Sequence, residues 1–265
     1  MRTHNDTAIE AAAARLRKAQ ETRTPCQPVR DLIPADDLET AYAVQQYNID
    51  HDCQQGRRLV GSKIALSAKA IQQKLKISHP AYGRLFADMC LAEGVEIDFS
   101  ALIQPRIETE VALVIAKTLN HERHTIVDMI NAIAYAIPAF EIVGCRIADW
   151  NVSAADFIAD NSASSHVVLG SRPRTLAEFD IVRCQMRTTR RGEVISSGSG
   201  AACYGNPLHA LIWLADALVK VDQPLQPGDL VMSGSLGPMV PIAEGDLIEA
   251  HIDGLGSIHA QFTAS

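Results

Sequence analysis

Apolar residues recur at helical spacing twice near the start of the chain. Ile9, Ala12, Ala13 and Leu16 share one face and predict a helix over residues 8–20. Pro25, Pro28 and Pro34 then punctuate an irregular stretch. Asp36 is expected to cap a second helix, with Glu39 as its reciprocal partner. Leu38, Ala41, Tyr42, Gln45 and Ile49 form the stripe of that helix, and Gly56 ends it. The two helices predict a small N-terminal lobe over residues 1–58.

The pattern changes at Val60. Residues 60–66 read as a strand and 68–75 as a short helix. Period-two alternation is clearest in residues 104–116. Ile107, Thr109, Val111, Leu113 and Ile115 take one side, and Arg106, Glu108, Glu110, Ala112 and Val114 the other. Thr125 and Asp128 suggest a capping box for a helix ending near Ala136. A strand follows over 137–143, with Pro138 expected near its start or at a sheet edge. Residues 160–165 read as a loop. Strands are expected at 167–169, 179–187 and 193–197, and a helix from Pro207 to about Lys220. A turn at Gln226–Asp229 precedes a strand at 230–232, and residues 247–262 predict a hairpin around Asp253 and Gly254. The sum is a mixed α/β chain with a strand-rich core after residue 60. It lacks the regular βαβ alternation of a doubly wound sheet.

Composition narrows the function classes. The chain has 265 residues, 47% of them hydrophobic and 21% charged, as in an ordinary globular protein. With 24 basic against 31 acidic residues the formal net charge is -7, which disfavours a nucleic-acid partner. No segment predicts a membrane span or an apolar signal, and the six cysteines are scattered. A cytoplasmic enzyme with free thiols is the expectation.

Candidate chemistry begins with Glu108 and Glu110, two apart on a strand and therefore on one side of it. They end an otherwise apolar face, where like charges are costly without a positive partner. Glu141 is a third isolated acid, in the apolar run Ala139–Val143. Three carboxylates on two strands suit a hard divalent cation such as Mg2+ or Mn2+. Edge-strand charges paired with Arg106 or Arg146 are the other reading of the same spacing. Lys63 is the lone charge in its strand, suited to anchoring a carboxylate or carrying a proton, or else to snorkelling at an edge. Asp88 is either a helix-end acid or a catalytic one. The run from Asp160 to Ser165 either binds an anion or satisfies a turn.

The motifs Pro105-Arg106-Ile107-Glu108-Thr109-Glu110, Phe140-Glu141-Ile142-Val143-Gly144-Cys145-Arg146-Ile147 and Asp149-Trp150 resemble the 2-keto-4-pentenoate hydratase family. That family lies within the fumarylacetoacetate hydrolase superfamily. The likeness runs from Arg30-Asp31-Leu32-Ile33 through Leu85-Phe86-Ala87-Asp88-Met89-Cys90 to Gly254-Leu255-Gly256-Ser257. It implies a fumarylacetoacetate-hydrolase-like β-roll with short flanking helices over residues 59–265, beside the helical lobe. It implies Mg2+ or Mn2+ held by Glu108, Glu110 and Glu141, with Lys63 and Asp88 as the family's strand lysine and following acid. The implied reaction adds water to 2-hydroxypenta-2,4-dienoate or a similar short 2-hydroxydienoate in aromatic meta-cleavage catabolism, giving a 4-hydroxy-2-oxoalkanoate. Lys63 and Asp88 are expected to share carboxylate binding and proton transfer. A homopentamer or homodecamer, and association with a downstream aldolase, are further implications of the resemblance.

The chain departs from its relatives at several positions, among them Cys145, where serine is frequent, and His166, where a small or apolar residue is common. Ala65 stands where many have glycine, and the loop reads Ala159-Asp160-Asn161-Ser162-Ala163 where Ala-Asp-Asn-Ala-Ser is common. Ser162 or Ser164 is expected to supply the hydroxyl that Ala163 lacks. The competing functions are a related 2-oxo-3-enedioate decarboxylase, an acylpyruvate-type hydrolase, and a binding protein that kept the fold without the reaction. Trp150 favours the hydratase over the decarboxylase.

Overall fold

Two sheets pack face to face in the computed structural model, which describes residues 4–264. The outermost positions of the two expected regions, residues 1–3 and 265, lie outside the described residues. The elements run α1 (His4–Thr22), α2 (Leu38–Gln54), β1 (Leu59–Ala65), α3 (Lys69–Leu75), β2 (Ala81–Phe86), β3 (Cys90–Ala92) and β4 (Glu96–Ile97). Next come β5 (Arg106–Ile115), α4 (Ile126–Ala132), β6 (Ile133–Val143), α5 (Ala154–Ala159), β7 (Ser164–Leu169), β8 (Gln185–Arg190) and β9 (Glu193–Ser199). The chain finishes with α6 (Pro207–Val219), β10 (Leu230–Met232), β11 (Val240–Pro241), β12 (Leu247–Ile252) and β13 (Gly256–Phe262).

The larger sheet has the order β2-β1-β10-β5-β6-β7-β3, with β11 added beside β5. The smaller has the order β4-β13-β12-β8-β9. Most pairs are antiparallel, with β1–β10, β3–β7 and β4–β13 parallel. One face of β5 and β6 packs on the smaller sheet. Ile107, Phe140 and Ile142 meet Ile248, Ala250, Ile258 and Phe262 in one apolar cluster. The Thr109 and Thr188 hydroxyls, 2.7 Å apart, bridge the two sheets inside it. The opposite face of β5 and β6 carries the glutamates.

The N-terminal helices close no core of their own. Ala12, Leu16, Ala41 and Val44 share a cluster with Ala81, Cys145, Ile147 and Ile158 of the strand-rich region. The buried Gln45 amide donates to the carbonyls of Tyr82 and Ile158, tying α2 to β2 and α5.

Several local expectations need correction. The cap of α2 is Asp37, not Asp36: its carboxylate accepts from Thr40 N at 2.9 Å and from the Thr40 hydroxyl at 2.6 Å. Glu39 plays no reciprocal part in it. The Thr125–Asp128 capping box forms, but α4 stops at Ala132 rather than near Ala136. Residues 133–136 pair instead with the end of β5, so the ladder overrides alanine's helical preference. The strand expected over 179–187 lies at 185–190. The Asp180 carboxylate accepts from the backbone of Val182 and Arg183 and makes residues 180–183 a turn.

Pro138 sits in the middle of a central strand, not near a strand start or at a sheet edge as expected. Its partner Val111 directs both backbone polar groups towards Ser233, so no donor is required of Pro138 on that side. On the other side the β7 ladder ends at Ala139 opposite Leu169. One residue further Gly170 N donates to Pro138 O at 3.0 Å, so the missing N–H costs only the reciprocal bond at the end of that ladder.

Candidate metal centre

The register of β5 and β6 places Glu108 directly opposite Glu141 and Glu110 opposite Ala139. No bulge interrupts that ladder between Arg106 and Val114, so Glu108 and Glu110 project together. One carboxylate oxygen from each of Glu108, Glu110 and Glu141 can be chosen such that all three lie within 4.8 Å. Among the described residues this is the one such cluster of His, Cys, Asp and Glu. The strands involved are central. Neither arginine considered as a partner is engaged there: Arg146 pairs with the Asp160 carboxylate, and Arg106 stacks on Trp150. The edge-strand reading therefore fails.

Three carboxylates so close repel strongly. At an effective dielectric of about 20, each like-charged pair costs on the order of 3 kcal/mol at such a separation. Burial, then the charge of Glu141, pushes the Glu108 carboxyl up to about 7, against the pull of Lys63 and the Ser235 hydroxyl. Burial, then Glu141 and Glu108, raises Glu110 well above the carboxylate range, although Gly234 N donates to its Oε2 at 2.8 Å. Lys63 is the nearby cation. From β1 its ammonium reaches Glu141 Oε1 at 2.9 Å, and it lies 5.5 Å from the Phe157 ring centroid.

A single ammonium does not satisfy the cluster. Glu110 Oε1 and both oxygens of Glu141 are buried and accept no aligned hydrogen bond. Buried carboxylate oxygens are normally hydrogen-bonded or metal-bound. These oxygens, convergent and hard, fit a divalent cation of the Mg2+ or Mn2+ kind.

An apolar group that includes Phe157 lies beside Lys63. Ala65, Val143, Phe157 and Ala163 form a buried group, with Leu66, Trp150, Val152 and Met239 half-buried against it. Ala65 and Ala163, two of the positions at which the sequence is expected to depart from its relatives, both belong to this group.

The remaining candidates lie elsewhere. Asp88 sits on a short turn after β2, paired through two hydrogen bonds with Arg57 at 2.8 and 2.9 Å. Partial burial is outweighed by Arg57, which holds that carboxyl below its usual range. Asp88 lines a cavity of about 400 Å3 under α1 and α2 together with Arg146, Ser164 and His166, and none of the three glutamates borders it. The Ser162 hydroxyl is spent on Tyr82 O at 2.8 Å. Ser164 Oγ is buried, has no partner, and faces the same cavity as Asp88.

The loop holding these serines is clamped. Asn161, Ser162 and Ala163 all adopt left-handed backbone, with φ of 48, 50 and 58. Such residues cost free energy unless their surroundings fix them. Here Asn161 bonds both backbone groups of Arg84, and Asp160 takes the backbone and side chain of Arg146. Sequence reasoning missed this buttress because no single spacing encodes contacts 77 residues apart.

Residues 66–263 match the family described as fumarylacetoacetate (FAA) hydrolase C-terminal. With this sheet arrangement and this glutamate cluster, the chain belongs to the fumarylacetoacetate hydrolase family. Its relatives narrow the class: it is an enzyme of the hydratase type, and belongs with the 2-keto-4-pentenoate hydratases. It is 46% identical to the 2-keto-4-pentenoate hydratase of Burkholderia vietnamiensis over 98% of this chain and 99% of that one. It is 34% identical to the 2-hydroxyhexa-2,4-dienoate hydratase of Comamonas testosteroni, over 96% of this chain and 97% of that one. Among solved structures it is similar to the 4-oxalocrotonate decarboxylase from Pseudomonas putida G7 complexed with magnesium and adipate. That likeness has a TM-score of 0.92, 29% identity and 99% coverage of both chains.

Proposed function

We propose that the chain hydrates 2-hydroxypenta-2,4-dienoate, or a short homologue of it, to the 4-hydroxy-2-oxo acid, in the catabolism of aromatic ring-cleavage products. The observation that carries this reading is the cluster of Glu108, Glu110 and Glu141 with its unsatisfied buried oxygens, in a chain whose full-length relatives are hydratases. The glutamates would hold one Mg2+ or Mn2+. When bound, such an ion supplies Lewis acidity towards a carboxylate and its adjacent oxygen.

The protein's own groups do the rest. The three carboxylates fix the position of the reacting end. Lys63 stands against Glu141 and carries the proton that leaves the 2-hydroxyl and arrives at C5. Water then adds across the remaining double bond, its oxygen to C4 and a proton to C3, so that atoms balance. The apolar wall of Ala65, Val143, Phe157 and Ala163 keeps bulk water from the carbon chain. Asp88 would need a different conformation to take part, because Arg57 holds it at the other cavity.

The test is to mix the purified protein, Mn2+ and freshly generated 2-hydroxypenta-2,4-dienoate. The expected result is bleaching of the dienol absorbance with stoichiometric 4-hydroxy-2-oxopentanoate. The fold likeness to a decarboxylase favours a second reading, decarboxylation of a 2-oxo-3-enedioate. Carbon dioxide release from that substrate, with no hydration of the dienoate, would select it.

A further inference from the structure

Arg106 opens β5 on the same face as Glu108 and Glu110. Its guanidinium carbon stands 4.5 Å from the Trp150 ring centroid, and among the described residues no carboxylate pairs with it. The tryptophan is fixed from below. Its indole N–H donates to Gln104 O at 3.1 Å. The Gln104 side chain accepts from Asp149 N and donates to the carbonyls of Cys145 and Ile147. Asp149 and Trp150 both hold left-handed backbone, φ 58 and 55, a conformation that persists only where neighbours enforce it. This is a preset support for a flat cation.

The charges of the site leave a task for that cation. Three carboxylates, the Lys63 ammonium and one divalent ion sum to nothing. An incoming 2-oxo acid adds a negative charge that this set does not balance. Lys63 is already committed to Glu141. Arg106 is the unpaired cation on the glutamates' own face, about 6.6 Å along the strand from Glu108. Val143, its cross-strand partner, belongs to the apolar wall, so the carbon chain and the charged end meet side by side.

We propose that Arg106, held flat by Trp150, is the residue that recognises the carboxylate of the 2-oxo acid. Stacking covers one guanidinium face and leaves the in-plane N–H edge free for two parallel hydrogen bonds to a carboxylate. Trp150 is a positioning residue, and Lys63 stays beside Glu141 with no part in binding the carboxylate. The inference rests on reading the site as one for a 2-oxo acid, but not on the reaction performed there.

The test uses the full chain loaded with Mn2+ and titrates it calorimetrically with 2-oxopentanoate, a saturated acid that cannot be hydrated. Arg106→Gln should raise its dissociation constant roughly 10- to 100-fold, as expected for lost charged hydrogen bonds. The Mn2+ affinity should stay within about twofold, which also reports an intact site. Arg106→Lys should recover only part of the loss, because an ammonium offers no planar fork. Trp150→Leu should raise KM for the dienoate several-fold with little change in kcat, and Trp150→Phe should restore most of it. Unchanged 2-oxopentanoate binding in Arg106→Gln overturns the inference, and so does failure of the wild type to bind 2-oxopentanoate. A wild type that binds 2-oxopentanoate through Arg106 but turns over no dienoate supports the inference and refutes only the hydratase reading.

Discussion

The Lys63 ammonium and Glu141 Oε1 stand 2.9 Å apart with both side chains 1% exposed, so each is the other's shield from a low-dielectric interior. Removing one partner of such a pair strands the other. Lys63→Met preserves volume and should cost roughly 3–5 kcal/mol of stability in metal-free protein at pH 8. Mn2+ should recover much of that loss, by supplying positive charge to the same carboxylates. Urea unfolding with and without Mn2+ measures both numbers. Equal losses in the two conditions would separate Lys63 from the metal centre. Turnover should fall in either case.

Glu108→Gln and Glu110→Gln each keep the shape of the side chain and remove its charge. Each should weaken Mn2+ binding by at least about tenfold while leaving the far-ultraviolet circular dichroism unchanged. Calorimetric affinity equal to wild type in both variants would take the two residues out of the centre.

The pH dependence follows from the raised carboxyl of Glu108. Its folded value, about 7, lies above its ordinary one, so the native state binds the proton more tightly than the unfolded chain does. Stability from this group is full below about 4.5 and is lost as pH rises through about 7. Metal-free protein should therefore lose thermal stability between pH 5 and 7.5, and the slope should flatten in Glu108→Gln. Mn2+ should raise the melting temperature more at pH 7.5 than at pH 5.5, because the ion displaces the proton. A wild-type slope of the opposite sign, absent from the variant, would contradict the assignment.

The loop serines should separate cleanly. Ser162→Ala deprives Tyr82 O of a buried donor and should lower stability by about 1 kcal/mol, with KM unaffected. Ser164→Ala removes a hydroxyl that bonds nothing and should leave stability within about 0.5 kcal/mol of wild type. Denaturant midpoints decide the first point. A KM rise in Ser162→Ala without loss of stability would instead place that hydroxyl on the substrate.

How far the sequence could be read depended on the range of the interactions involved. The alternation in β5 is local, so the common side of Glu108 and Glu110 was legible from spacing alone. Glu141 was visible as one charge in an apolar run, but its place opposite Glu108 depends on a register set by the whole β5–β6 ladder. Strands β3 and β4 and helix α5, of three, two and six residues, are too short for a periodic signal. Asp88 is expected at the site only through the resemblance, since its local pattern suits a helix-end acid equally well. It is held at the other cavity by its pair with Arg57, 31 residues earlier, which no spacing announces. Arg106 was legible only as a counter-charge, since its tryptophan support requires the Gln104 clamp across the 145–150 turn.

The alternation in β5 links assembly of the centre to folding. Ile107 and Thr109 enter the interface with the smaller sheet, while Glu108 and Glu110 take the other side. Sliding the strand by one residue would drive two carboxylates into the inter-sheet core and turn isoleucine towards the ion. A one-residue slip therefore cannot dock the sheets and keep the glutamates on their own side. A chain that has buried its inter-sheet core in this register has thereby brought Glu108 and Glu110 to one side, so an ion held there would act on carboxylates the fold has already gathered.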